Sequence, residues 1–120
     1  MRTADGIPAV TPDVLLQDGL MEISQKGLGM TAVIDAEQRI LGIFTDGDLR
    51  RALDTGVDIR KTTMDDIMHR DCKTIAADVL AAEAVHVMEE NKITSLLVAD
   101  EKRRLVGALN IHDLFRAGIM

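Results

Sequence analysis

The feature that most constrains this chain is an internal repeat: residues 13–52 align onto 78–117 at a constant offset of 65, without a gap. Asp13/Asp78, Val33/Val98, Asp35/Asp100, Arg39/Arg104, Gly42/Gly107, Asp48/Asp113 and Arg51/Arg116 are identical, and Val10/Ile75, Leu28/Ile93 and Ile40/Leu105 are conservative. Such a register dictates the same order of elements in both halves. A copy of about 50 residues is marginal on surface-to-volume grounds, so each copy needs the other to cover its apolar face.

In the first copy, residues 7–10 form a short extended piece. Thr11 is placed to cap a helix with Pro12 at its first position, and Val14, Leu15, Leu20 and Ile23 supply the inward face up to Gly27. The apolar run 30–34 predicts a buried strand, 35–38 a turn, and 39–44 a second buried strand. A helix follows from Gly47 to Leu53 and frays at Thr55 and Gly56. The second copy repeats this: a strand over 73–75, a helix over 78–91 with Val79, Leu80, Val87 and Met88 inward, strands over 95–99 and 105–109, and a closing helix over 111–117. The sequence therefore predicts an α+β fold of two β-α-β-β-α repeats, residues 1–56 and 71–120, related by a pseudo-two-fold axis and packed sheet face to sheet face. Residues 57–70 read as a polar linker with one helical turn over 64–68, weakly capped by Thr63 and Asp66.

Composition narrows the function. A formal net charge of -6, with only Arg50-Arg51 and Lys102-Arg103-Arg104 as basic clusters, argues against nucleic acid as a partner. Phe44 and Phe115 are the sole aromatics, so stacking platforms are missing and methionine and leucine must fill the core. No apolar run is long enough for a membrane span and no signal peptide is legible, which predicts a cytoplasmic protein. Cys72 is the single cysteine, and His69, His86 and His112 are scattered, so neither a disulfide nor a metal site is expected. His86 has no titratable partner at helical spacing other than Glu83, Glu89 and Glu90, which leaves acid-base work unsupported, and Cys72 reads as a small buried side chain rather than a nucleophile.

The stretch from Gly42 to Leu53 carries the chemistry. An apolar strand turns into a helix at Thr45, and Asp48 three residues later completes the spacing of a capping box. The same junction presents backbone N–H groups, a helix dipole, a hydroxyl and a carboxylate, a set suited to phosphate and ribose. Gly47 adds nothing to a cap but lets a ligand approach the backbone. The pair recurs as Asn110 and Asp113. Lys73, near Arg70 and His69, is placed to meet a ligand anion.

Residues 42–48 (GIFTDGD) resemble the nucleotide-binding signature of cystathionine β-synthase (CBS) domains, and the tandem copies look like a CBS pair, or Bateman module. The runs LGMT (28–31), ITS (93–95) and HDLFRAG (112–118) are more narrowly similar to the C-terminal region of bacterial arabinose 5-phosphate isomerases. There, the resemblance implies, a sugar-isomerase (SIS) domain precedes the pair; Met1-Arg2-Thr3 looks like the middle of a linker, and the chain holds no catalytic domain of its own.

The resemblance further implies two clefts between the copies. In the first, Asp48 would take a ribose and Thr45 with Gly47 a phosphate, against Gly29, Met30, Asp71, Cys72, Lys73, Ile93, Thr94 and Ser95. The mirror cleft would set Asn110, His112 and Asp113 against Gly6, Ile7, Pro8, Leu28 and Gly29. Asn110 departs from the signature's Thr or Ser, and Ile111 and His112 are bulkier than Asp46 and Gly47, so the first cleft is the expected site. The implied ligands are AMP, ADP or ATP, the family's default, or CMP-Kdo, the activated product of the 3-deoxy-D-manno-octulosonate (Kdo) pathway for lipopolysaccharide. No required cofactor is implied. The resemblance also implies a homodimer, and a ligand-free dimerisation scaffold is the alternative function.

Overall fold

The structure, a computed structural model, describes residues 6–79 and 81–112. The offset of the sequence repeat is also the offset of the fold. Strand β1 (Ala9–Val10), helix α1 (Leu16–Lys26), β2 (Met30–Ile34) and β3 (Ile40–Thr45) recur as β4 (Thr74–Ala76), α4 (Ala81–Asn91), β5 (Ser95–Ala99) and β6 (Leu105–Asn110). Helix α2 (Asp46–Asp54) closes the first repeat; its counterpart, expected over 111–117, lies largely outside the described residues.

Each repeat forms a three-stranded sheet, β1-β2-β3 or β4-β5-β6, with the first pair parallel and the second antiparallel. Both hairpins carry an irregularity at the same place, between Val33 and Ile34 and between Val98 and Ala99. Strand alternation explains why the central strands are apolar throughout. Met30, Ala32, Ile43, Leu97, Ala99 and Ala108 point into a core shared by the two sheets. Val33 and Phe44 point the other way, beneath the first repeat's helices, and Leu96, Val98 and Leu109 do so beneath α4.

The helices start later than the sequence suggested. Thr11 and Pro12 belong to a turn; α1 begins at Leu16, and its N-cap, Leu15, offers no side-chain acceptor. The reason is the segment after α2. The amides of Leu16 and Gln17 donate to the carbonyls of Thr62 (2.7 Å) and Ile59 (3.0 Å), while Met64 donates to Val14 (2.8 Å) and Asp65 to Pro12 (2.9 Å). Tertiary backbone partners thus satisfy the helix start. Val14 packs on the core from the turn rather than from a helical face. In the second repeat Asp78 also sits in a turn, with α4 starting at Ala81. The expectation for Leu80 falls outside the described residues.

Residues 57–70 are anchored on the first repeat through two buried methionines. The one-turn helix α3 (Met64–Ile67) forms with a capping box between Thr63 and Asp66. Met64 is fully buried, and Met68 nearly so, under α1 and β3. His69 then pairs with Ile43 through two backbone hydrogen bonds, N–H to carbonyl at 2.8 and 2.9 Å. Gly42 makes this approach possible, because a Cβ there would lie 2.7 Å from the His69 carbonyl oxygen.

Candidate functional site

Strand β3 runs into α2 without a connecting loop, and the junction is locked by a closed capping box. The Asp48 amide donates to the Thr45 hydroxyl at 3.1 Å, and the Thr45 amide donates to the Asp48 carboxylate at 3.0 Å. The second Asp48 oxygen accepts from the Arg51 guanidinium. The carboxylate is thus held in one orientation, and each of its oxygens keeps a lone pair for a further donor.

Gly47 has no structural reason to be glycine. A Cβ there would come no closer than 3.6 Å to the Arg51 guanidinium and 3.7 Å to the Thr45 hydroxyl. What the missing side chain leaves is room on the cleft wall beside the first turn of α2, where the Asp46 and Asp48 amides are already engaged by the Gly29 carbonyl and the Thr45 hydroxyl.

A cleft of about 750 Å³ opens at this corner. Four features of the fold bring its walls together. The antiparallel register of Met30 with Thr45 places Gly29 beside the junction, where the Asp46 amide donates to its carbonyl at 3.0 Å. The parallel register of Thr74 with Leu97 sets Asp71, Cys72 and Lys73 alongside Ile93, Thr94 and Ser95. The pairing of Ser95 with Asn110 brings in the end of β6. Finally the Asn110 side-chain amide reaches the Leu28 carbonyl at 3.5 Å, tying one repeat to the other.

Most residues singled out from the sequence meet here. Thr45, Gly47, Asp48, Gly29, Asp71, Cys72, Lys73, Ile93, Thr94 and Ser95 all line the cleft, and so do Leu28, Asn110 and His112 of the expected mirror cleft. Met30 does not: it is fully buried in the core between the sheets, because strand alternation turns it inward. Gly6, Ile7 and Pro8 do not line it either. Pro8 is buried and its carbonyl accepts from the Ala32 amide at 2.9 Å, while Ile7 packs on the shared core. Asp113 lies outside the described residues. This cavity spans the junction and takes in the end of β6.

Of the expected cations, Lys73 and His69 reach the cleft, but Arg70 does not line it. Its guanidinium binds Asp65, the carboxylate at 2.8 Å and the carbonyl at 3.0 Å. Sequence reasoning missed Asp46, Arg51, Asn91 and Lys92, which also line the wall. Arg51 was findable from its three-residue spacing to Asp48 on a helix. Lys92 had no signal, since its counterpart in the first repeat is Gly27.

The lining carries Asp46, Asp48 and Asp71 alongside Arg51, Lys73 and Lys92, of which Asp48 and Arg51 form an ion pair. Burial pushes the Cys72 thiol above its ordinary pKa, against the opposing pull of the Arg103 guanidinium 3.9 Å from its sulfur. It therefore stays protonated near neutrality and contributes a small apolar wall. Among the described residues no group of His, Cys, Asp and Glu is placed to hold a metal ion. No described helix is long and apolar enough to cross a membrane.

Two sheet-and-helix repeats around a shared cleft define the class: the CBS domain family matches residues 1–55 and again 64–119, and the chain belongs to it as a CBS pair. Its relatives are more particular. The chain is 53% identical over all 120 residues to the arabinose 5-phosphate isomerase KdsD of Pseudomonas aeruginosa, and 45% identical to that of Escherichia coli K12. It spans only 37% and 36% of those proteins, so it corresponds to their CBS region and not to their catalytic part. Among solved structures, a protein with CBS domains from Burkholderia ambifaria superposes with a TM-score of 0.84 at 26% identity, covering 94% of this chain and 82% of that one. The MJ0100 CBS pair, in complex with 5'-methylthioadenosine and S-adenosyl-L-methionine, gives 0.84 at 21% identity, covering 97% and 90%. CBSX2, in complex with AMP, gives 0.82 at 21% identity, covering 99% and 92%.

Proposed function

We propose that this chain is the regulatory, nucleotide-sensing CBS pair of an arabinose 5-phosphate isomerase. On this reading it binds its ligand in the cleft at the β3–α2 junction and passes occupancy to a catalytic SIS domain, N-terminal to it in the parent protein. The observation that carries the reading is the orientation of Asp48 beside an open Gly47. A fixed carboxylate suits a ribose diol, and the exposed start of α2 suits a phosphate. The reading is supported by two proteins of the same fold that are seen with AMP and with S-adenosyl-L-methionine.

The candidate ligands are CMP-Kdo and the adenine nucleotides AMP, ADP and ATP. CMP-Kdo fits an isomerase of the Kdo pathway as a feedback signal, and its sugar carboxylate suits the lysines of the cleft. Homodimerisation through the pair accompanies either choice, and the exposed Met21 and Leu53 are candidates for that surface. The test is thermal unfolding of the chain with CMP-Kdo, AMP, ADP and ATP, because a ligand of the native state must raise the midpoint. A concentration-dependent rise with one of them is the expected result. Unchanged melting with all of them would contradict the sensor and favour the dimerisation scaffold.

A further inference from the structure

Lys92 occupies a conformation that its place in the fold makes conspicuous. It follows α4 with φ +55°, in the left-handed region that side chains disfavour. Three non-glycine residues adopt positive φ among the described residues. Two of them, Gln38 and Arg103, are counterparts in the two hairpin turns and reflect one turn geometry used twice. Lys92 is the unmatched one: at the same point after α1 stands Gly27, φ +73°, the residue such a helix end prefers.

A cation near a helix C-terminus is favourable in itself, but that does not require this position. Helix α1 carries its cation at Lys26, its last helical residue, and leaves glycine outside. Helix α4 has asparagine at the corresponding Asn91, no basic residue in its last turn, and its lysine one step out, on the wall of the cleft. Lys73 shows the same asymmetry, since its counterpart is Pro8. Among the described residues, Lys73 and Lys92 of the cleft's cations thus have no cationic counterpart at the corresponding positions of the other repeat. Among the described residues neither lysine ammonium has an ion-pair partner, whereas Arg51 is engaged by Asp48.

We infer that Lys92 is a specificity-determining residue of the cleft: it receives an anionic group of the ligand additional to the phosphate at the Thr45–Gly47 corner. The cleft thereby selects a nucleotide with a second anionic group over a nucleoside monophosphate. That group is either a further phosphate, as in ATP, or a sugar carboxylate, as in CMP-Kdo. The inference rests on the nucleotide reading of the cleft and adds to it the residue that sets preference. The unfavourable backbone at residue 92 is the local strain expected where function fixes a side chain.

Calorimetric titration of the chain with CMP, CMP-Kdo, AMP and ATP, repeated with Lys92→Gly and Lys92→Arg, tests it. The parent should prefer CMP-Kdo to CMP or ATP to AMP, and which preference appears identifies the second anion. Lys92→Gly should weaken the preferred ligand about tenfold, the loss of one charge-assisted contact, and leave the monophosphate unchanged. Lys92→Arg should retain the preference. Without ligand, Lys92→Gly should melt above the parent, because glycine relieves the backbone; a melt at or below the parent would remove the strain on which the inference stands. If none of the four binds the parent, the nucleotide reading itself fails. If the parent binds but Lys92→Gly keeps the full preference, or the parent shows none, only the role of Lys92 is overturned.

Discussion

Arg39 and Arg104, the same residue of the two repeats, bridge each other as antiparallel partners. On either side the Ile40 amide donates to the Arg103 carbonyl and the Leu105 amide to the Gln38 carbonyl, both at 2.9 Å. The pseudo-two-fold axis passes through this pair. The turns that present it are built around Asp35 and Asp100, each accepting two backbone amides and the Nε of its own arginine, Arg39 at 2.9 Å and Arg104 at 2.7 Å.

Those turns make stability depend on acid. Hydrogen bonds from the Arg39 and Arg104 amides, above all other causes, hold the Asp35 and Asp100 carboxyls below their ordinary pKa. A depressed folded-state pKa contributes stability above the unfolded value and loses it as pH falls through the folded value. The loss should therefore set in below about pH 4. Urea unfolding across that range should show a shallower acid slope for the Asp35→Asn/Asp100→Asn double variant than for the parent.

Gly42→Ala should destabilise the chain by about 1–3 kcal/mol, because the new methyl meets a backbone carbonyl that cannot move without undoing the Ile43–His69 pairing. Chemical denaturation gives the size of the effect. Faster hydrogen exchange at the His69 amide would locate it.

Met64→Ala should cost about 2–5 kcal/mol, the range for a fully buried large side chain. Its readout is more specific than stability. Proteolysis should begin within residues 57–70, since Met64 anchors that segment beneath α1.

Gly47→Ala separates fold from function. With no contact closer than 3.6 Å awaiting the methyl, stability should hold or rise by about 0.4–1 kcal/mol. Nucleotide affinity should fall, because the methyl fills the space beside the start of α2. Unchanged affinity would remove Gly47 from the site.

The repeat made the architecture legible. A constant offset forces equal elements, and apolar runs such as Met30–Ile34 and Ser95–Ala99 left strands buried on both faces as the economical reading. The Thr45–Asp48 junction was equally plain, because a capping box depends on residues three apart. What local pattern could not supply was tertiary. Thr11-Pro12 has the signature of a helix start, yet backbone from residues 59–65 satisfies α1 four residues later. Met64 and Met68 read as packing residues, but what they pack against, α1 and β3, follows only from the segment folding back. Met30 and Ser95 occupy equivalent strand positions, but only Ser95 reaches the cleft. Lys92 entered the site through the turn after α4, where the repeat alone suggested glycine.

The central claim is that Asp48 holds a nucleotide in the cleft at the β3–α2 junction, and titrating CMP-Kdo and AMP into the chain and into Asp48→Ala by calorimetry addresses it directly. Loss of the hydrogen bond from the Thr45 amide to the carboxylate should cost about 1 kcal/mol of stability while the Thr45 cap itself remains, leaving the variant folded for the comparison, as a melting curve recorded in parallel would verify. The account predicts saturable binding of at least one ligand to the parent and at least about tenfold weaker binding to the variant, as befits loss of a charged hydrogen-bond acceptor. Equal affinity in a folded Asp48→Ala protein, or no heat from the parent with either ligand, would contradict it.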